Sequence, residues 1–238
     1  MAGIGLARRR WAPSTAPSID SSHPLAQGLH ALVLPGFSQL ELVRQVLPDL
    51  ITPEVTRSAM SRGDSGTYAN STTKGAAIWG IGTVPYLPPP FTFFIDCKWS
   101  EVGTALIGSG NSTAAGRGWR FGGLNGTDSR YTHCGVVDYD NTSVMSGGVD
   151  TAIVGTLNAV SGTFQLYTQA VRVVSRTVGS ISTSSQTDGL AVSGFRHSSS
   201  FILEPANTPI SIVALWNRVI GSSEIAALYA DPFCMLRG

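Results

Sequence analysis

The chain has 238 residues, 42% of them hydrophobic and only 13% charged, with a formal net charge of +1. That apolar content supports a packed core and excludes a disordered chain, and the near-neutral balance lacks the electrostatic footprint of a nucleic-acid binder. No apolar run approaches the length of a membrane-spanning helix, so neither nucleic acid nor membrane is expected as a partner.

The 27 glycines, with abundant Ser, Thr and Asn between apolar segments, predict many short strands joined by tight turns. Residues 1–35 carry Pro13, Pro17, Pro24 and Pro35 and no usable periodicity. They are expected to form an extended N-terminal arm with no core of its own, leaving residues 36–238 as one domain whose core strands start at about residue 90. Gly36 to Leu50 predicts a short helix, with Leu40, Val43 and Leu47 on one face and Pro48 as its stop. Weak strands follow near Thr67–Ala69 and at Ala76–Trp79, and Pro88-Pro89-Pro90 is a stiff lead-in.

Phe91 to Trp99 is the first strong strand, with Phe91, Phe93, Ile95, Cys97 and Trp99 on one face. Further strands are predicted at Ala105–Ile107, Gly118–Phe121, Thr132–Val137, Thr151–Leu157, Phe164–Tyr167, Val171–Val174, Leu190–Val192 and Phe201–Leu203. The gap between Tyr167 and Val171 has hairpin length. No repeat period emerges, which excludes a propeller or solenoid.

The most specific local signal is Pro209 to Phe233. Ile210–Trp216 reads as a buried strand. Gly221 or Ser222 should cap a short helix carrying Glu224 in its first turn; Ile225, Leu228 and Tyr229 would face the core, and Asp231-Pro232 ends it. Many antiparallel strands plus one C-terminal helix predict an all-β, two-sheet antiparallel sandwich.

Ile212–Arg218, Ser223-Glu224-Ile225 and Leu228–Pro232 resemble the closing motif of laminin-G-like (concanavalin A-like) jelly-roll domains. Ile153–Thr156, Phe164–Tyr167 and Val171–Val174 are similar to that family's central hairpin, and Phe91–Ile95 to its opening core strand. The resemblance covers roughly residues 90–233. Arg8-Arg9-Arg10-Trp11 with Pro13 and Pro17, Ile19-Asp20 and Pro24–Leu29 resemble the start of laminin-G-like proteins of tailed bacteriophages and prophages. That likeness implies a virion component assembled in the bacterial cytoplasm. An apolar h-region is missing after Arg8–Arg10, and the odd count of three cysteines (Cys97, Cys134 and Cys234) agrees with free thiols in a reducing compartment. In that setting the N-x-S/T sequons at Asn70, Asn111, Asn125 and Asn141 are noise in a Ser/Thr-rich chain.

Concanavalin A-like folds include glycoside hydrolases, which need two neighbouring carboxylates. Asp138-Tyr139-Asp140 is the one alternating pair, and its context reads as a turn; Glu41, Glu54, Glu101, Glu204 and Glu224 stand apart. No catalytic residue and no cofactor are expected. Asp138 and Asp140, with Asn141, are weak calcium candidates, and Cys97, His133 and Cys134 lack the spacing of a zinc site. Trp79, Trp99, Trp119 and Trp216 belong to strand-like text and should be buried. Trp11 stands instead beside Arg8, Arg9 and Arg10, the residue types that anchor interfaces. These four are the candidate partner-binding residues. The expected function is a non-enzymatic virion structural protein, a capsid decoration or cement protein that docks by its arm on other virion proteins and forms homo-oligomers. The alternative is a carbohydrate- or receptor-binding module of a tail or head fibre, with a glycan as partner.

Overall fold

The structure is a computed structural model. It describes residues 17–35, 41–46, 50–52, 76–80, 82–98, 105–110, 118–123, 128–133, 137–141, 150–178, 188–197, 200–203 and 210–237. The strands, in chain order, are β1 Ser18–Ile19, β2 Leu29–Val33, β3 Leu50–Thr52, β4 Ala76–Gly80, β5 Phe91–Lys98, β6 Ile107–Ser109, β7 Trp119–Gly123, β8 Ser129–His133 and β9 Val137–Asn141. They continue as β10 Asp150–Asn158, β11 Thr163–Thr168, β12 Val171–Thr177, β13 Asp188–Val192, β14 Gly194–His197, β15 Ser200–Leu203, β16 Ile210–Trp216 and β17 Leu236–Arg237, with helix α1 at Ser222–Ala230.

Two antiparallel sheets form a jelly-roll sandwich: β12-β11-β10-β5-β16-β2 and β3-β4-β13-β6-β7-β8-β9. The core between them is aromatic. Phe91 stacks on Trp119 at 4.3 Å, Phe93 meets Phe121 at 5.0 Å, and Tyr131 stacks on Phe164 at 4.3 Å, each pair spanning the two sheets. Room for the Phe93 ring comes from Gly155, its register partner on β10; a Cβ there would sit 2.2 Å from the ring. The β11–β12 hairpin turns through Gln169 and Ala170, both with positive φ (51° and 60°), the twist that a two-residue connection requires.

The predicted face of β5 is correct as far as Cys97, with Phe91, Phe93, Ile95 and Cys97 in the inter-sheet core; Trp99 lies outside the described residues. Its other face is equally buried. Phe94 joins Val154, Ile212, Ala214 and Trp216 under Ile225 and Leu228 of α1, Leu25 and Met235. Gly221 is the N-cap of α1, and its N–H donates to Glu224 Oε2 at 2.8 Å. Arg218 holds the same carboxylate with two bonds of 2.9 and 2.5 Å and donates to the carbonyl of Gln27 at 2.8 Å. Trp216 Nε1 donates to the Leu25 carbonyl at 2.6 Å, and the hydroxyl of the half-buried Tyr229 lies 2.9 Å from Ala152 O and 2.7 Å from Tyr167 O.

Several expectations are corrected. An arm ending at residue 35 is too long: Leu29–Val33 forms an edge strand on β16 with Val33 opposite Val213, and Ser18–Ile19 pairs with Leu236–Arg237. Their apolar side chains gain partners from the far end of the chain, which local periodicity does not report. The expected helix at Gly36–Leu50 is, at 41–46, a turn closed by the Glu41–Val46 bridge. The fully buried Glu41 carboxylate accepts N–H bonds from Leu32, Val43 and Arg44 at 2.8–2.9 Å. Thr132–Val137 is two strands, β8 and β9, and the 194–197 segment of the β14–β15 hairpin was not anticipated.

Two tests follow from this packing. Gly155→Ala drives a methyl into the Phe93 ring and should lower stability by about 1–3 kcal/mol in urea unfolding; an unchanged midpoint contradicts the packing. Arg218 holds the Glu224 carboxyl below its usual range, and Ser22 and Arg237 hold Asp20 at about 2. Acids with depressed folded pKa values stabilise fully above the unfolded range and lose that contribution as pH falls through the folded value. Melting temperature should therefore drop from about pH 4.5 towards pH 2, and Arg218→Ala should show a smaller drop than wild type.

Candidate functional site: the outer face of strands β7 to β9

The outer side of the six-stranded sheet is roofed by α1 and the two terminal segments. The seven-stranded sheet is covered differently. Its inner row is Ile107, Phe121, Tyr131 and Tyr139, in register across β6 to β9. Strand alternation then places Gly108, Arg120 and Thr132 on the outer side, with Gly122, Arg130 and Asp140 in the next outer row. Over β6 the outer side is closed: Phe195 of β14 is fully buried, and its ring occupies the place of a Gly108 side chain, 2.3 Å from a built Cβ. Over β7 to β9, Arg120, Arg130 and Asp140 are half-buried and Thr132 is buried.

Arg130 and Asp140 form a forked pair, Nε to Oδ1 at 2.6 Å and Nη2 to Oδ2 at 3.1 Å. The Arg130 hydrogen bonds hold the Asp140 carboxyl below its usual range, with a smaller contribution from the charge of Arg176. Arg120, half-buried in the adjacent row, has no hydrogen bond or ion pair among the described residues. A partly desolvated guanidinium with free donors is suited to a carboxylate or to vicinal hydroxyls.

The same end of the sheet is its edge strand β9. Tyr139, on edge strand β9, is half-buried and stacks on Tyr131 at 6.3 Å; Tyr131 in turn stacks on Phe164 of the other sheet. Opposite Phe164 in the register is Arg176, exposed on edge strand β12. One row further in, Ser129 and Asn141 face each other across β8 and β9, fully buried, and Ser129 Oγ and Asn141 Oδ1 have no hydrogen-bond partner among the described residues.

The expected calcium trio does not converge. Asp138 and Asp140 belong to a strand, not a turn, and alternation puts Asn141 on the opposite face from Asp140, whose oxygens are held by Arg130. No group of three His, Cys, Asp or Glu suited to a metal occurs among the described residues. Cys97 is in the core, and Cys134 lies outside the described residues, as do Arg8, Arg9, Arg10 and Trp11. Trp79, Trp119 and Trp216 are fully buried, and so is the sequon residue Asn141. Among the described residues no helix is long and apolar enough to cross a membrane. The residues overlooked in the sequence are Arg120, Arg130 and Arg176; a charged residue between two core aromatics, as in Trp119-Arg120-Phe121, was the available signal.

No protein-family model matches the sequence, and no curated protein does. Solved structures do match. A Trypanosoma rangeli sialidase in complex with sialic acid aligns with a TM-score of 0.60 at 15% identity, over 88% of this chain and 34% of the sialidase. This chain thus spans about a third of that enzyme's length. The CBM40 carbohydrate-binding module of the Ruminococcus gnavus IT-sialidase aligns with a TM-score of 0.52 at 16% identity, over 60% of this chain and 84% of the module. The same module bound to α2,3-sialyllactose gives a TM-score of 0.50 at 16% identity, over 58% and 81%. At these identities the likeness is one of fold: a β-sandwich.

Since Arg120 makes no hydrogen bond or ion pair with another described residue, Arg120→Ala should leave the unfolding free energy in urea within about 0.5 kcal/mol of wild type. A larger loss would place Arg120 in the fold's own stabilisation and not in a free site.

Proposed function

We propose that this chain is a non-enzymatic glycan-binding module carried on a phage particle, and that it binds acidic glycans on the outer face of β7 to β9. The observation that carries the reading is Arg120, a half-buried guanidinium with no hydrogen bond or ion pair among the described residues, on the part of a sheet face beyond the one that Phe195 of β14 closes. Support also comes from the fold neighbours, which include a sialidase with sialic acid and a carbohydrate-binding module with sialyllactose. Arg130, held by Asp140 through two hydrogen bonds, places a second guanidinium in the next row of the same face.

A non-catalytic role is favoured by the state of the carboxylates nearby. Asp140 is tied to Arg130 by both oxygens and held ionised, the reverse of what a general acid requires. Placement on a virion rests on the resemblance of residues 8–29, and the arm with Arg8–Arg10 and Trp11 would tether the module to other virion proteins. Several copies on one particle would turn a weak single-site affinity into avidity. The earlier expectation of a purely structural decoration protein becomes the tethering half of this reading.

Titration calorimetry with α2,3-sialyllactose tests it. Wild type should bind saturably, Arg120→Ala should weaken binding at least about tenfold, or roughly 1.4 kcal/mol, and no sialic acid should be released. Absence of binding, or binding indifferent to Arg120, would sink the proposal.

A further inference from the structure

The chain treats the two edges of the six-stranded sheet differently. The β2 edge is closed: Glu41 bridges Val33, its carboxylate accepts the Leu32 N–H, and the Leu42 N–H donates to the Leu32 carbonyl. At the other edge, β12 pairs only with β11 among the described residues. Six of its seven residues are exposed, with Val174 half-buried, and Val171 and Val173 are 62% and 42% exposed. In an antiparallel edge strand every second residue turns its N–H and C=O away from the sheet. A row of outward backbone donors and acceptors therefore runs along β12 beside exposed valines, a template for a further strand.

Charge selects what can occupy it. β12 has no acidic residue and carries Arg172 and Arg176, both exposed and without a hydrogen bond or ion pair among the described residues. Asp140, on the facing sheet, feels the charge of Arg176 while bonded to Arg130. The register shift between Leu166 and Tyr167 sets Arg172 beside Tyr167 and Arg176 beside Phe164. Phe164 belongs to the inter-sheet core and Tyr167 to the roofed side, so a guanidinium flanks each face of the edge. A second copy of β12 is a poor occupant. Two-fold pairing gathers the arginines of both copies along one seam, and pairing centred on Val174 sets Arg172 opposite Arg176, a destabilising like-charge contact. An acidic strand reverses the sign of every one of these contacts.

We propose that β12 is a docking edge for an extended acidic segment of another protein, which joins the six-stranded sheet as a seventh strand. Its backbone pairs with the outward row of β12. Its carboxylates stand three positions apart, the spacing at which Phe164 and Tyr167 of β11 meet the two arginines, and its apolar side chains cover Val171 and Val173. This edge belongs to the sheet that does not carry Arg120, so docking is independent of the glycan-binding reading.

The test is backbone amide shift mapping of the full chain with two blocked heptapeptides of valine and threonine, one with two glutamates three apart and one with lysines in their place. The glutamate peptide should give saturable shifts centred on residues 171–177 and bind at least about tenfold more tightly than the lysine peptide. The double variant Arg172→Glu, Arg176→Glu changes two exposed side chains; it should keep the wild-type melting temperature and prefer the lysine peptide. No saturable shifts with the glutamate peptide, equal affinity for both peptides, or a preference unchanged by the double variant would overturn the proposal. So would a concentration-dependent dimer in sedimentation whose contact maps to β12, which would give the edge to a second copy.

Discussion

Strand β5 carries phenylalanines on both of its faces, and that fact constrains the whole molecule. Phe91 and Phe93 point into the sandwich while Phe94 points away from it. An ordinary two-sheet sandwich leaves each outer face to water, but the six-stranded sheet is apolar on both. Its outer side, with Phe94, Val154, Ile212, Ala214 and Trp216, needs a roof. Fully burying one such side chain is worth about 1.5–3 kcal/mol, so an uncovered row of this kind would be a liability for folding and solubility. Helix α1, the Leu25 turn and the β1–β17 pair supply the roof, and the hydrogen bonds of Trp216, Arg218 and Tyr229 fix it in place.

Committing that face to structure leaves the other sheet for the proposed ligand. The remaining outer sheet surface is that of the seven-stranded sheet, and Phe195 over Gly108 closes the part nearest β6. Beyond it, β7 to β9 carry the half-buried Arg120, Arg130 and Asp140 where the inner rows carry tryptophan, phenylalanine and tyrosine. The same alternation that buries the aromatics holds the polar groups in a fixed array on rigid strands. Preorganisation of that kind reduces the ordering penalty on binding. Positioning therefore comes from the core, and chemistry from the residues between its aromatics.

Much of this was written locally in the sequence. The strand–helix–stop near the C-terminus was legible because each signal is short-range: β-branched residues in Ile210–Trp216, a glycine N-cap, Glu224 in the first turn, proline after Asp231. The inward face of β5 followed from simple alternation. What stayed hidden depended on distant partners. Leu29–Val33 is a strand because β16 offers it an edge, and residues 41–46 turn because a buried carboxylate gathers three backbone N–H groups. Asp138 and Asp140 attracted attention as a possible carboxylate pair, but register gives Asp140 to Arg130. Arg120 was passed over since one arginine between two aromatics carries no motif; its significance appears only once the opposite sheet is known to be roofed.

The central claim is that ligand recognition belongs to the outer face of β7 to β9. Backbone amide chemical-shift mapping on titration with α2,3-sialyllactose tests it most directly, because it reads location without relying on substitutions. The account predicts saturable shifts concentrated in residues 119–123, 129–133 and 137–141, with α1 and β16 unmoved. Shifts centred on α1 and the terminal segments, or none at saturating glycan, would contradict it.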